Sequence, residues 1–303
     1  MDYQLKIKIQ NFISRLPNPE KINYFLQKFV TKSLPIPLAE FKIKLSSIKL
    51  HFDNIKKYGV NEISDSVYYE IGAGYDMAIP IGMSLLGFRK LICVDVRKLV
   101  FEDLLNDTLR KFRFVNDPFF QLNETQKNTI FTKHNSGNTF EKNFNIYYLA
   151  PFDARNTKIN ENSIDYCITN AVLEHVPEDI IYELLKETFR VMKKGGIMSN
   201  VIDYRDHFAY FDSKINFYNY LQFSKQKWGT MNPDVMHQNR MRHKDYIKIV
   251  HDVGFEIVKE VLAYPDDVLF SKLKEMYISE EYFNSYTLDE LKILGSQLVL
   301  RKP

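Results

Sequence analysis

The chain is poor in cysteine: only Cys93 and Cys167 occur in 303 residues, each inside a strand-like apolar run, LICVD and DYCIT. Two such thiols exclude a disulfide framework and read as small buried hydrophobes, which suits a reducing cytoplasm. No hydrophobic run is long enough to span a bilayer. The longest, AIPIGMSLLGF at 78–88, is short and broken by Gly and Pro, and MDYQLKIKIQ lacks the apolar core of a signal peptide. Charge of one sign is also scarce: the formal net charge is +3, without the basic stripe of a nucleic-acid binder, so DNA is excluded as a partner and RNA is disfavoured. A single tryptophan and no internal repeat complete the list of absences. What remains is an ordinary globular composition, 45% hydrophobic and 26% charged, enough for a full core without staples.

Apolar residues at Leu38, Phe41, Leu45, Ile48, Phe52 and Ile55 step by threes and fours and predict a helix over 38–55 behind Pro37. Its back carries Lys42, Lys44, Lys49, Lys56 and Lys57, so it could lie on an anionic membrane, but packing of the apolar stripe on the main body is the expected outcome. From residue 67 strands and helices alternate: SVYYEI, a helix over 77–88, KLICVD, a helix over 98–113, NIYYLA, IDYCIT, a helix over 177–192, and GIMSNVI. This alternation predicts a parallel sheet covered on both faces. A helix near 242–252, a strand FEIVKEVLAY, a helical stretch through 266–293 and a last strand GSQLVLRK follow. Residues 114–144 read as an unpatterned polar insertion. Residues 203–240, dense in aromatics and interleaved with His and Arg, read as a lid over a pocket. The division expected is a helical cap over 1–65 and one catalytic domain over 66–303.

The first predicted strand ends in VYYEIGAGYD, with Glu70 before Gly72 and Gly74, a turn where backbone meets a ligand at the carboxyl edge of the sheet. A dinucleotide fingerprint would need a third glycine where Met77 stands and would place a pyrophosphate beside Asp76. A nicotinamide cofactor is therefore disfavoured. A ligand with a cationic centre suits Glu70 and Asp76, while Asp95 lies at the spacing of a ribose-binding acid. Asp153, beside Phe152, could accept from an adenine amino group. An adenosine carrying a positive sulfur satisfies all of these.

The ordered strings EIGAGYD, CVDVRK, PFDARNTKINENSIDYCITNAVLEHV and LKETFRVMKKGGIM resemble the class I S-adenosylmethionine-dependent methyltransferases, and among them the type 11 methyltransferase domains, over roughly residues 66–202. The resemblance implies a Rossmann-like α/β fold, doubly wound, with a seven-stranded, mostly parallel sheet and an antiparallel last strand. It also implies S-adenosyl-L-methionine as cofactor. By position it puts Glu70, Gly72, Ala73 and Gly74 at the methionine end, Asp95 and Val96 at the ribose, Phe152, Asp153 and Ala154 at the adenine, and Asn170 on the floor.

A hydroxyl or amine acceptor must lose a proton, so a base is sought at the next strand ends. Glu174 and His175 follow the fourth strand, and Asp203, Arg205, Asp206 and His207 follow the fifth. His175 is the first choice, His207 the second, with Asp203 beside them; the alternative for His175 is a loop hydrogen bond alone. Family members reading E-x-x-E-H here bind a divalent ion, but this chain has Ala171 in place of the first carboxylate. No metal is expected, since one would have to recruit His207 or His237. The stretch 237–257 resembles methyltransferases of surface-polysaccharide gene clusters. Arg205, His237, Asn239, Arg240 and Arg242 could hold sugar hydroxyls or a phosphate, and Trp228 could stack on a sugar, although Arg240 and Arg242 read equally well as solvated helix-start residues. The expected reaction is O-methylation of a small acceptor, a sugar or nucleotide-linked glycan precursor, with a homodimer left open. RNA methylation, a nicotinamide oxidoreductase and a non-catalytic binding protein are the rival readings.

Overall fold

The computed structural model describes residues 2–131 and 138–303, without the side chains of 131 and 138–140. Three helices lead: α1 (Tyr3–Ser14), α2 (Pro19–Phe25) and α3 (Leu38–Tyr58). An alternating run follows, β1 (Val67–Ile71), α4 (Ala78–Leu85), β2 (Lys90–Val94), α5 (Glu102–Arg113), α6 (Glu124–Phe131), α7 (Asn138–Phe144), β3 (Ile146–Leu149), β4 (Ile164–Asn170), α8 (Glu178–Val191) and β5 (Met192–Asp203). The chain closes with α9 (Lys225–Met231), α10 (His243–Val253), β6 (Glu256–Ala263), α11 (Asp267–Glu275), α12 (Glu280–Ser285), α13 (Leu288–Leu291) and β7 (Gly295–Arg301). Among the described residues no helix is long and apolar enough to cross a membrane.

The seven strands lie in the order β3-β2-β1-β4-β5-β7-β6, parallel from β3 to β5, with β7 antiparallel to both β5 and β6. This is the expected Rossmann-like, doubly wound sheet. Central β1 is buried on both faces because successive side chains point to opposite sides. Tyr68 joins Phe41, Leu45 and Ile48 of α3 and Ile79 and Ile81 of α4 in one core, while Tyr69 and Ile71 join Ile181, Leu184 and Leu185 of α8 in the other. From Phe41 onward the stripe of α3 thus packs on the sheet layer, as expected, while Leu38 is exposed; Lys42, Lys49, Lys56 and Lys57 face outward and Lys44 is half-buried. Both cysteines are buried and unpaired. Chain order reverses between β1 and β4, so the crevice at the carboxyl ends of these two strands is where a ligand belongs.

Two expectations need correction. Residues 114–144 are not a plain loop: α6 and α7 form there, and Phe120, Ile130 and Phe144 enter the core, although 132–137 lie outside the described residues. The stretch 266–293 is helical, as expected, in three short pieces, α11, α12 and α13. The aromatics of 203–240 do not form an open lid: Phe208, Tyr218, Tyr220 and Trp228 are buried with Ile7, Leu273, Tyr282 and Leu291 in a third core.

Candidate active site

The glycine turn leaves β1 with Gly72 at φ +81° and Gly74 at φ +74°, conformations that side-chain-bearing residues adopt at a cost. A Cβ on Gly72 would lie 2.5 Å from Val172 Cγ2, so the glycine lets the β1 and β4 loops close on each other. Around Gly74 nothing lies within 4 Å, leaving open space on its ligand side. Met77, the residue at the third fingerprint position, is buried and caps α4, and Asp76 Oδ1 accepts from Ala78 N at 3.0 Å. An acid therefore occupies the start of this helix, which disfavours a phosphate there.

Asp95 ends β2 with its amide bonded to Leu149 O at 3.1 Å and its carbonyl accepting from Phe152 N at 2.8 Å, which ties the ends of β2 and β3 together. Its side chain is 7% exposed. Burial raises its pKa to about 7, against hydrogen bonds from the Tyr148 hydroxyl and the Ala73 amide. Oδ2 is buried and meets no donor of the chain. Buried acceptors are normally paired, and the diol of a ribose presents the donors this oxygen lacks. Glu70 lies beneath the turn: it is 1% exposed, accepts from the Tyr68 hydroxyl, and has its pKa raised to about 8, chiefly by burial, with the charges of Asp95 and Asp76 adding. A cation above the turn would ionise it. On these observations the residues fit an adenosine with a positive centre. Ala73 is buried within the turn, and Phe152 and Ala154 are half-buried against the β4 and α8 side of the sheet.

Two cofactor positions are looser than expected. Val96 is exposed, and the exposed Asp153 carboxylate is engaged by Arg155, whose Nε and Nη2 reach it at 2.9 and 2.7 Å. That guanidinium holds Asp153 below its usual range. Asn170, at the end of β4, is held from behind by His51 of α3: His51 Nε2 lies 3.1 Å from Asn170 Oδ1 and His51 Nδ1 2.8 Å from Ser199 Oγ. His51 is fully buried, and burial lowers its pKa to about 4, so the ring is neutral. Since an amide oxygen only accepts, Nε2 carries the proton and Ser199 donates to Nδ1. Neither His51 nor Tyr148 stood out in the sequence; a histidine on the apolar stripe of 38–55 was the only signal.

The acceptor side assembles at the ends of β4 and β5. After Asn170 the chain turns through Ala171 at φ +53° into a single helical turn, Leu173–His175. His175 and His207 meet edge-on with ring centroids 4.9 Å apart. His175 Nδ1 lies 2.7 Å from the His237 carbonyl and must donate to it, so Nε2 keeps a lone pair. The surrounding protein and neighbouring His207 push His175 down, to about 4, although its outer edge is exposed. Asp203 Oδ2 stands 3.5 Å from His207 Nε2. Burial alone would raise Asp203, but His207, Arg205 and the Tyr210 hydroxyl together hold it well below the carboxylate range. Arg205 Nε donates to Asp203 Oδ1 at 2.8 Å, and its guanidinium lies over the Tyr210 and Phe217 rings. Thus His175, His207, Asp203 and Arg205 do come together.

Four other expected substrate residues are scaffold. Trp228 is buried and spends its indole N–H on Gln238 O at 3.0 Å. Arg240, also buried, donates to the Tyr220 and Phe223 carbonyls. Arg242, fully buried rather than solvated, serves the Tyr204 and Leu291 carbonyls at 2.9 and 2.7 Å. Asn239 splints the β4 loop: its Nδ2 donates to Leu173 O and Val176 O, both at 2.8 Å, and its amide to Glu174 O at 2.7 Å. His237 contributes its carbonyl to His175 while its Nδ1 lies 3.1 Å from Asn232 Nδ2. Asp206 accepts from Phe208 N and Asn219 Nδ2 and is likewise structural. An open groove of about 370 Å³ is lined by Glu178, Lys225, Arg240 and Glu281, and none of the glycine-turn residues lines it.

A search of curated proteins finds no match. Among solved structures, the chain is similar to an S-adenosylmethionine-dependent methyltransferase from Methanosarcina mazei, at 16% identity over 82% of this chain and 96% of that one, with a TM-score of 0.47. It is also similar to the geranyl diphosphate C-methyltransferase of Streptomyces coelicolor, solved with Mg²⁺, geranyl diphosphate and S-adenosyl-L-homocysteine, at 11% identity over 100% and 99%, TM-score 0.49. The [4+2]-cyclase SpnF matches at 12% identity over 86% and 82%, TM-score 0.49. At such identities and scores these likenesses say nothing about substrate. Residues 128–199, from α6 to the middle of β5, match the family model described as a methyltransferase domain. The chain therefore carries a methyltransferase domain, the mark of a methyl-transferring enzyme, and that domain implies S-adenosyl-L-methionine as its cofactor.

Proposed function

We propose that this protein transfers a methyl group from S-adenosyl-L-methionine to a hydroxyl of a small polar acceptor, with a sugar or nucleotide-linked glycan precursor as the preferred class. The observation that carries the cofactor side is the buried Asp95 Oδ2 without a donor, beside the open face of Gly74. Bound S-adenosylmethionine supplies an electrophilic methyl on a sulfonium. The ends of β4 and β5 hold the acceptor oxygen against it, and the packed surround of His175 and Glu174 removes water from that oxygen. His175 Nε2, left with a free lone pair because Nδ1–H is spent on the His237 carbonyl, would take the proton of the acceptor hydroxyl. Asp203 Oδ2, 3.5 Å from His207 Nε2, completes the polar edge on the β5 side.

With Trp228, Asn239 and Arg240 committed to the scaffold, recognition of a sugar falls to Arg205 and Tyr210, which ring the cluster from the β5 side. The test has two arms. Calorimetry should show S-adenosylhomocysteine binding and no binding of NAD; the reverse would overturn the cofactor reading. Labelled methyl donor offered to sugars, nucleotide sugars, small acids and RNA should mark a sugar-bearing acceptor, and label in RNA that falls steeply with salt would replace it.

A further inference from the structure

We propose that the outward face of the N-terminal helices, from α1 to the first turns of α3, is a docking surface for an anionic lipid membrane. Methyl transfer makes no use of this face, whichever acceptor is methylated.

The small total charge hides a division along the chain. Residues 1–60 hold 11 of the 41 Lys and Arg but only 4 of the 38 Asp and Glu, a formal +7, which leaves the rest of the chain at −4. Exposed apolar side chains are concentrated in the same stretch. Helix α1 carries them on two opposite faces: Ile7 and Ile13 are buried, Ile7 in the third core, whereas Leu5, Ile9 and Phe12, at steps of four and three, lie on the outer face. Phe12 is 65% exposed. Lys8 and Arg15 fall on that same outer stripe and are exposed with it.

The pattern repeats past α2. Phe25 at its end and Phe29 in the following π-helical turn, Leu26–Val30, lie with ring centroids 4.8 Å apart, both exposed, and exposed Lys32 follows. At the start of α3, Leu38 and Ile43 are exposed beside Lys42. The stripe of α3 from Phe41 onward is packed inward, so its remaining outer lysines contribute charge alone.

The inner faces of these helices are already spent. Tyr24 stacks on Phe101 with centroids 3.9 Å apart, Lys28 pairs with Asp103, Asn11 Nδ2 donates to Thr230 O at 3.2 Å, and the Tyr3 amide donates to Asp212 Oδ2 at 3.0 Å. The helices are thus fastened to the body with their second apolar stripe turned to solvent.

A membrane interface accepts both components of this surface: cations meet the lipid phosphates and large apolar side chains enter beneath the headgroups. RNA would engage the cations and aromatic rings but leave Leu5, Ile9, Val30 and Ile43 without a contact. A symmetric second copy would bring one strongly basic surface against another, which like-charge repulsion opposes.

The full chain is sedimented with vesicles of phosphatidylcholine alone and of phosphatidylcholine with about one-third phosphatidylglycerol. Affinity for the anionic vesicles should be higher by about tenfold or more and should fall as salt rises. Phe12→Ser with Phe29→Ser, and separately Lys8→Glu with Lys32→Glu, should each weaken it by about tenfold, while melting temperature and S-adenosylhomocysteine affinity stay unchanged. A Phe12→Trp chain should shift its emission to the blue on anionic vesicles only. No binding of the unaltered chain to anionic vesicles, or binding that the phenylalanine pair leaves intact, would overturn the surface. So would tighter binding to an RNA oligonucleotide than to vesicles, or a dimer in solution that the phenylalanine pair dissociates. Loss of S-adenosylhomocysteine binding in the unaltered chain would instead strike the methyl-transfer reading and leave the vesicle result standing.

Discussion

Two buried polar regions of this protein behave differently. Around Arg240 and Arg242 the guanidinium groups reach main-chain carbonyls of 204, 220, 223, 291 and 293, so the arginines knit the third core together. At Asp95, by contrast, the buried Oδ2 meets no donor of the chain. Residue type pointed both regions at a ligand, Arg240 at the substrate and Asp95 at the cofactor. The difference lies in how many partners each group has: Arg242 keeps only Nε unpartnered while its Nη atoms are spent on carbonyls, whereas Asp95 Oδ2 at the ligand crevice has no donor.

The sharpest way to break the comparison is through turnover. His175→Ala should lower kcat by about 10²–10⁴, the usual weight of a positioned base, while S-adenosylhomocysteine affinity measured by calorimetry stays within twofold. Unchanged kcat would reduce His175 to a loop contact. On the scaffold side, Arg242→Ala leaves several buried carbonyls without donors and should cost about 3–5 kcal/mol in denaturant unfolding. Arg242 would join the site if stability held and only turnover fell.

Asp95→Ala should weaken S-adenosylhomocysteine by about 10–100-fold, the loss of hydrogen bonds to a charged acceptor, without lowering the melting temperature. A smaller effect separates Glu70 from Asp95 by pH. Both carboxyls are raised in the folded protein, Glu70 from 4.5 to about 8 and Asp95 from 3.8 to about 7. Their burial is therefore best tolerated below the ordinary carboxyl range, and stability of the ligand-free protein should decline as pH rises through 7 to 8. Glu70→Gln should flatten the upper part of that decline in melting curves, and S-adenosylmethionine should bind more tightly as pH rises across it. A decline left intact in the variant would remove Glu70 from the linkage.

Much of the fold was legible. The strands from β1 to β5 announce themselves as apolar runs closed by an acid or a polar residue, and α3 and α8 by their stripes. Residues 114–144 escaped because α6 and α7 are short and bury single residues such as Ile130 and Phe144, too few to make a period. The aromatics of 203–240 misled for another reason: tyrosine and tryptophan have the same composition whether they line a pocket or fill a core. Of the site, Gly72, Gly74, Asp95, His175, His207 and Asp203 were readable as strand-end residues. His51 and Tyr148 were not, because each acts on a site residue from a different element.

The sequence by itself determined the order of strands and helices, and with it the edge of the sheet at which chemistry occurs, since local periodicity and strand-end position are properties of neighbours along the chain. Only the tertiary structure decided which polar groups at that edge remain free. Partnership in a hydrogen bond depends on three-dimensional approach: Asn239 Nδ2 meets a carbonyl 66 residues away, whereas the buried Asp95 Oδ2 meets no donor of the chain.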